Sequence, residues 1–94
     1  MVGNEAEQRE IYYSGRVQGV GFRYTARDIA GRHAVTGFVR NMPDGRVHLV
    51  LEGGRDEIQA YIQALQADMG PYIRDAHDSV RPASGRFESF EIRF

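Results

Sequence analysis

The chain contains no cysteine. That excludes a disulfide scaffold, a thiol nucleophile and any zinc site built on thiolates. It also lacks lysine: all 12 basic residues are arginine. Planar guanidinium forks suit anion recognition, although genome composition alone could produce the same choice. No apolar run approaches the ~18 residues of a membrane span. The N-terminal MVGNEAEQRE is too polar and acidic for a signal peptide. A cytoplasmic location with no membrane partner is therefore expected. An excess of charge of one sign is missing too, since 12 arginines against 13 acidic residues leave a formal net charge of -1. Nucleic-acid-binding domains usually carry a clustered basic excess, so no nucleic-acid partner is expected.

What remains is an ordinary globular composition, with 41% hydrophobic and 27% charged residues in a chain of 94. That length fits one domain and buries enough surface for one core. Residues 1–8 read as a loose tail, and 9–94 as the single domain. Residues 9–17 alternate as a strand, with Ile11, Tyr13 and Val17 on one face. Residues 18–21 form a glycine-bearing turn. Residues 22–33 read as a helix, because Phe22, Ala26, Ile29, Ala30 and His33 make one apolar stripe. A hairpin follows, with VTGFVRN and RVHLVLE flanking Met42-Pro43-Asp44-Gly45. There proline fixes φ and glycine accepts a positive φ. A second helix over Arg55–Met69 carries Ile58, Tyr61, Ile62, Leu65 and Met69 on one stripe. Asp56 and Glu57 lie in its first turn, and Gly70-Pro71 stop it. Residues 72–94 should add one or two strands, the last on the alternation of 87–94. The order βαββαβ predicts an α+β, ferredoxin-like two-layer sandwich: an antiparallel sheet with two helices on one face.

The stretch Gly15-Arg16-Val17-Gln18-Gly19-Val20-Gly21-Phe22-Arg23 carries the chemistry. A strand runs through a short loop directly into a helix. Gly19 and Gly21 let backbone N–H groups turn inward as an anion nest. The helix N-terminus adds unpaired N–H groups and its positive dipole end, and Arg23 can reach the same anion as a fork. The spacing is neither a P-loop nor a dinucleotide fingerprint. It is also compatible with a plain strand-to-helix turn bearing a solvent-exposed arginine. Asn41, just before the hairpin turn, reads from the residues alone as a turn residue whose side chain caps local backbone. His33, His48 and His77 have no metal-ligand spacing, with His48 on an outer strand face. Asp44 reads as the turn aspartate.

The first segment resembles the first signature of the acylphosphatase family, Gly-x-Val-Gln-Gly-Val-x-Phe-Arg. The hairpin resembles the second: Gly37-Phe38-Val39-Arg40-Asn41, three residues, Gly45-Arg46-Val47, five residues, Gly53. The two span residues 15–53. Tyr13 stands where an aliphatic residue is more usual, and residues 70–84 match no motif. The resemblance implies hydrolysis of small acyl phosphates to carboxylate and phosphate by a monomer, without metal or other cofactor. It makes Arg23 and Asn41 catalytic, with Gly15, Arg16, Val17, Gln18, Gly19, Val20, Gly21 and Phe22 as the phosphate-binding loop. Arg23 would hold the phosphate and Asn41 would orient the attacking water, since an amide can accept a water proton through its oxygen. The competing expectation is a non-catalytic RNA- or phosphoanion-binding ferredoxin-like module. RNA-recognition domains share the element order, and residues 19–24 faintly echo their aromatic motif.

Overall fold

The computed structural model describes residues 6–94. The elements are β1 (Ala6–Gly15), α1 (Phe22–Ala30), β2 (Val35–Asn41), β3 (Val47–Gly54), α2 (Arg55–Met69), a 3-10 turn (Gly70–Tyr72), β4 (Ile73–Pro82) and β5 (Phe90–Arg93). They form one five-stranded sheet in the order β4-β1-β3-β2-β5. The arrangement is ferredoxin-like α+β. Val47, Leu49 and Leu51 of the central strand β3 are fully buried against Ile58, Tyr61 and Leu65 of α2 and Ala26 and Ile29 of α1. Each buried Val, Leu or Ile among them contributes about 1.5–3 kcal/mol of apolar transfer. The period-two and period-3.6 stripes of the sequence thus meet in one core.

Three expectations change. Of the expected tail, residues 1–5 lie outside the described residues, but Ala6, Glu7 and Gln8 extend β1 and pair with Gly54, Gly53 and Glu52. Helix α1 ends at Ala30, not at 33: the Gly31 N–H bonds the Arg27 and Asp28 carbonyls, and the chain leaves through turns at Arg32 and His33. Glycine weakens helix continuation by about 1 kcal/mol relative to alanine. The unmatched residues 70–84 form the turn and edge strand β4, which pairs antiparallel with β1. Its Arg74, Asp75, His77, Asp78 and Arg81, with Pro82, make an edge that resists further strand pairing.

The sheet is also mixed rather than antiparallel, because β5 runs parallel to β2. The reason is the route of residues 83–89. This segment leaves β4 beside the start of β1, where the Ala83 N–H meets the Ala6 carbonyl, and reaches the opposite sheet edge, where the Gly37 N–H bonds the Ser89 carbonyl. It crosses at one end of the sheet without retracing its length, so β5 must run in the direction of β2. Glu52 fastens the crossing. Its buried carboxylate accepts hydrogen bonds from Ser84 N–H (2.8 Å), Ser84 Oγ (2.7 Å), Gly85 N–H (3.0 Å) and Gln8 Nε2 (2.6 Å). Burial alone would push this carboxyl up, but these donors outweigh it and hold its pKa below the ordinary value. All of this lies at the end of the sheet away from the β1–α1 loop.

Candidate active site

Two core aromatic residues fix the ends of the β1–α1 loop. Tyr13, near the end of β1, packs at 5.3 Å centroid distance against Phe22, the first residue of α1. Both are 2% exposed, and burial raises the pKa of the Tyr13 phenol. Between them Val17 is completely buried and draws the loop inward. The departure of Tyr13 from an aliphatic residue therefore changes the shape of the core and not the loop. Gly19 and Gly21 adopt φ of 81° and 80°. An L side chain there costs roughly 1–2 kcal/mol, yet a Cβ would meet nothing within 4 Å at either position. The glycines serve the backbone conformation of the loop, not a steric need.

Gly21 is the N-cap of α1, in the left-handed region, and no side chain caps the helix. Its first turn carries no acidic residue. The dipole end and its N–H groups are left for a ligand. The adjoining pocket has a volume of about 200 Å³ and is lined by Val17, Gly19, Gly21, Phe22, Arg23, Tyr24 and Asn41. Loop, helix start and the end of β2 thus meet at one cavity. Of the expected site residues, Gly15, Arg16, Gln18 and Val20 do not line it. Gly15 ends β1 beside an irregularity in its pairing with β4, and the Arg16 N–H bonds the Tyr72 carbonyl at 2.9 Å. Val20 packs on the core. Phe22 is buried, and residues 19–24 lie at a strand–helix junction rather than on the sheet, unlike the strand-borne aromatics of RNA-recognition domains.

Gln18 plays a different part from the one its loop position suggests. Its Nε2 donates to the Met42 carbonyl at 2.9 Å and the Arg46 carbonyl at 3.0 Å. Both carbonyls belong to the β2–β3 turn. Gln18 therefore ties the loop to the hairpin that carries Asn41. Within that hairpin Asp44 performs the turn-capping role: its carboxylate accepts from the Arg46 N–H at 3.1 Å and pairs with the Arg46 Nε at 2.8 Å. The Arg46 backbone donor first, and then its guanidinium, hold the Asp44 pKa below the ordinary value. The side chain of Asn41 makes no hydrogen bond among the described residues, so capping does not account for it. Arg23 lies with its guanidinium carbon 4.9 Å from the Phe94 ring centre. No signal in the sequence pointed to Phe94 or to the Gln18 clamp.

The histidines stand apart from the pocket. His33 sits 3.5 Å from Glu57, which also accepts the Ala34 N–H. His48 is on the outer sheet face as expected, yet it is only 5% exposed. It stacks on Tyr12 at 4.3 Å; Nδ1 accepts from Arg40 Nε, and Nε2 lies 2.8 Å from Glu10. Those partners fit the neutral Nε2–H tautomer. Burial first, with Arg40 and Arg46 adding to it, holds its pKa below the ordinary histidine value against the pull of Glu10. Among the described residues, no three His, Asp or Glu side chains gather as a metal site, and no helix is long and apolar enough to cross a membrane.

A sequence model of the acylphosphatase family matches residues 9–92, nearly the whole chain. The chain belongs to the acylphosphatase family. An acylphosphatase of Methanospirillum hungatei is 50% identical over 82 residues, covering 85% of this chain and 89% of its own length. An acylphosphatase of Trichormus variabilis is 51% identical over 57 residues, covering 61% of this chain. That match spans only 56% of the relative's own length. The crystal structure of acylphosphatase from Bacillus subtilis superposes with a TM-score of 0.84 at 30% identity, covering 94% of this chain and 99% of that one. Membership in the acylphosphatase family rests on nearly the whole domain, including the loop, the hairpin and β4.

Proposed function

We propose that this chain hydrolyses the carboxyl–phosphate bond of small acyl phosphates, releasing carboxylate and inorganic phosphate. The observation that carries the reading is the convergence of three things on one small pocket: the uncapped N-terminus of α1, the Arg23 side chain and the unengaged Asn41 amide. The pocket volume of about 200 Å³ is below the roughly 300–1,000 Å³ that holds drug-sized ligands. A phosphoryl group with a small substituent fits that scale.

In this reading the loop and helix amides and the Arg23 fork bind the phosphoryl oxygens, where charge accumulates in a loose transition state. Asn41 holds a water in line with the bond to the acyl oxygen. The water oxygen bonds to phosphorus as the P–O bond to the acyl group breaks, and its electron pair leaves on the carboxylate. The parent acid has a pKa near ~4, so no general acid is required. No His, Asp or Glu lines the pocket, and the water proton passes to a phosphoryl oxygen. Positioning and charge supply the catalysis. Incubating the purified chain with acetyl phosphate, with chelator present, tests the reading. Equimolar loss of acetyl phosphate and release of phosphate is expected. Acetyl phosphate that decays only at its spontaneous rate would refute it.

A further inference from the structure

The face of the sheet turned away from the helices buries a titratable ring that takes no part in the proposed chemistry. His48 of β3 meets Glu10 and Tyr12 of β1, Phe38 and Arg40 of β2, and feels Arg46 just before β3. Around these, Arg81 of β4 pairs with the other Glu10 oxygen at 3.3 Å, and His77 lies opposite Tyr12 in register. Arg93 of β5 stands 4.1 Å from the Phe38 ring centre, and Phe87 of the crossing segment meets the same ring at 5.9 Å. One contact requires the imidazole to be neutral. Arg40 Nε donates to Nδ1 at 3.4 Å, which needs a lone pair on that nitrogen. A second ring proton would replace the lone pair with an N–H aimed at a guanidinium, and would set two positive charges together in a poorly solvated place. Among the described residues Arg40 has no carboxylate partner to take over. Glu10, 2.8 Å from Nε2, pulls the other way, but it is shared with Arg81. Burial, with Arg40 and Arg46, outweighs that pull. Both neighbours of the ring lead to the reacting end of the hairpin. Arg40 precedes Asn41, and alternation along β2 turns Arg40 to this face and Asn41 to the pocket. Tyr12 stacks on His48 at 4.3 Å, and the Arg46 guanidinium carbon lies 4.4 Å from the centre of the same Tyr12 ring. The Arg46 carbonyl in turn accepts one of the two Gln18 hydrogen bonds.

We propose that His48 is a positioning residue for the reaction: while neutral it holds Arg40, and through Arg40 the Asn41 end of β2, and its protonation frees that end and lowers turnover. This rests on the role given to Asn41 above and adds control from the acid side to it. Neither His48 nor Arg40 lines the pocket. The loss on protonation therefore falls on kcat, while phosphate stays with Arg23 and the α1 N-terminus.

The test compares the wild type with His48→Gln and His48→Leu. The glutamine amide can accept from Arg40 through its oxygen and donate to Glu10 through its nitrogen, and it does not titrate. Leucine offers no acceptor. NMR of the His48 ring fixes the pH range over which it titrates, which should lie below the ordinary ~6.5. As pH falls through that range, kcat for acetyl phosphate in the wild type should drop about tenfold relative to His48→Gln, part of the ~10²-fold that a misplacement of about 1 Å costs. Above that range the wild type and His48→Gln should agree within about twofold, and His48→Leu should already be about tenfold slower. Inhibition constants for inorganic phosphate should match in wild type and His48→Gln at every pH. Titration of the substrate and its spontaneous decay are common to both proteins and cancel in the ratio. A ratio that stays within about twofold while His48 titrates overturns the proposal and leaves the hydrolytic reading intact. If no protein turns over acetyl phosphate, the hydrolytic reading falls, and the side-chain amide signals of Asn41 test the coupling by itself. Signals that move with the His48 titration in the wild type and stay still in His48→Gln support it; signals that ignore the titration overturn it.

Discussion

Replacing Gln18 with alanine removes the only two hydrogen bonds by which a side chain of the β1–α1 loop grips the hairpin turn among the described residues. The cost to stability is small. Each bond contributes about 0.5–1.5 kcal/mol. Both carbonyls keep a second donor, since Met42 accepts from the Gly45 N–H and Arg46 from the Met42 N–H. Gln18 is exposed, so water replaces much of what is lost. A net loss near 1 kcal/mol shifts the melting temperature by about 4–8 °C in a domain of this size. The cost to turnover is larger. Cradle and Asn41 sit on separate elements, and a shift of about 1 Å between the bound phosphate and the water-holding amide costs ~10²-fold in rate. Gln18→Ala should therefore lower kcat for acetyl phosphate by about 10–100-fold, while the inhibition constant for inorganic phosphate changes by less than about threefold. Initial rates with phosphate as competitive inhibitor, beside a thermal melt, give all three quantities. An unchanged kcat would refute the clamp. A parallel loss of phosphate affinity would place Gln18 in the cradle itself.

Asn41→Ala should reduce kcat at least ~10²-fold with phosphate inhibition nearly unchanged, because the proposed role of the amide is to hold water and not the anion; a matching loss of phosphate affinity would reassign it. Inorganic phosphate at 100 times its dissociation constant should stabilise the protein by about 2.7 kcal/mol and raise its melting temperature by about 10 °C or more. Equal protection of Arg23→Ala would mean that the anion binds elsewhere. Glu52 has a folded-state pKa below its unfolded value, so its contribution is complete above the ordinary carboxylate pKa and is lost as pH falls through the folded one. Glu52→Gln should lower the melting temperature by about 10 °C at pH 7 through weakened charged hydrogen bonds, and its melting temperature should fall less steeply than the wild type's between pH 5 and pH 3; superimposable slopes would count against the carboxylate as the anchor.

The residues with regular spacing were readable in advance. The stripes of α1 and α2 and the alternation of Val47, Leu49 and Leu51 describe a buried face directly, and the Pro-Asp-Gly turn encodes its own geometry. The loop glycines and Arg23 were legible because sequence neighbours share one strand-to-helix junction. What escaped depends on distance along the chain. The parallel placement of β5 follows from the path of residues 83–89 and from Glu52, 32 positions away from Ser84. Gln18 meets the hairpin 24 and 28 positions on, and Phe94 meets Arg23 from the far end of the sequence. A glutamine in a glycine loop looks the same whether it faces a ligand or holds a turn. Residues 70–84 escaped because an edge strand exposed on most of its length lacks an apolar alternation.

The most direct measurement is the steady-state hydrolysis of acetyl phosphate by the wild type and Arg23→Ala, side by side, with circular dichroism to confirm that both are folded. The wild type should turn over, and Arg23→Ala should lose ~10³-fold or more in kcat, the scale for removing a charge-stabilising arginine from phosphoryl transfer. A folded Arg23→Ala that retains more than a tenth of wild-type turnover would contradict the assignment of the phosphate to Arg23 and the α1 N-terminus.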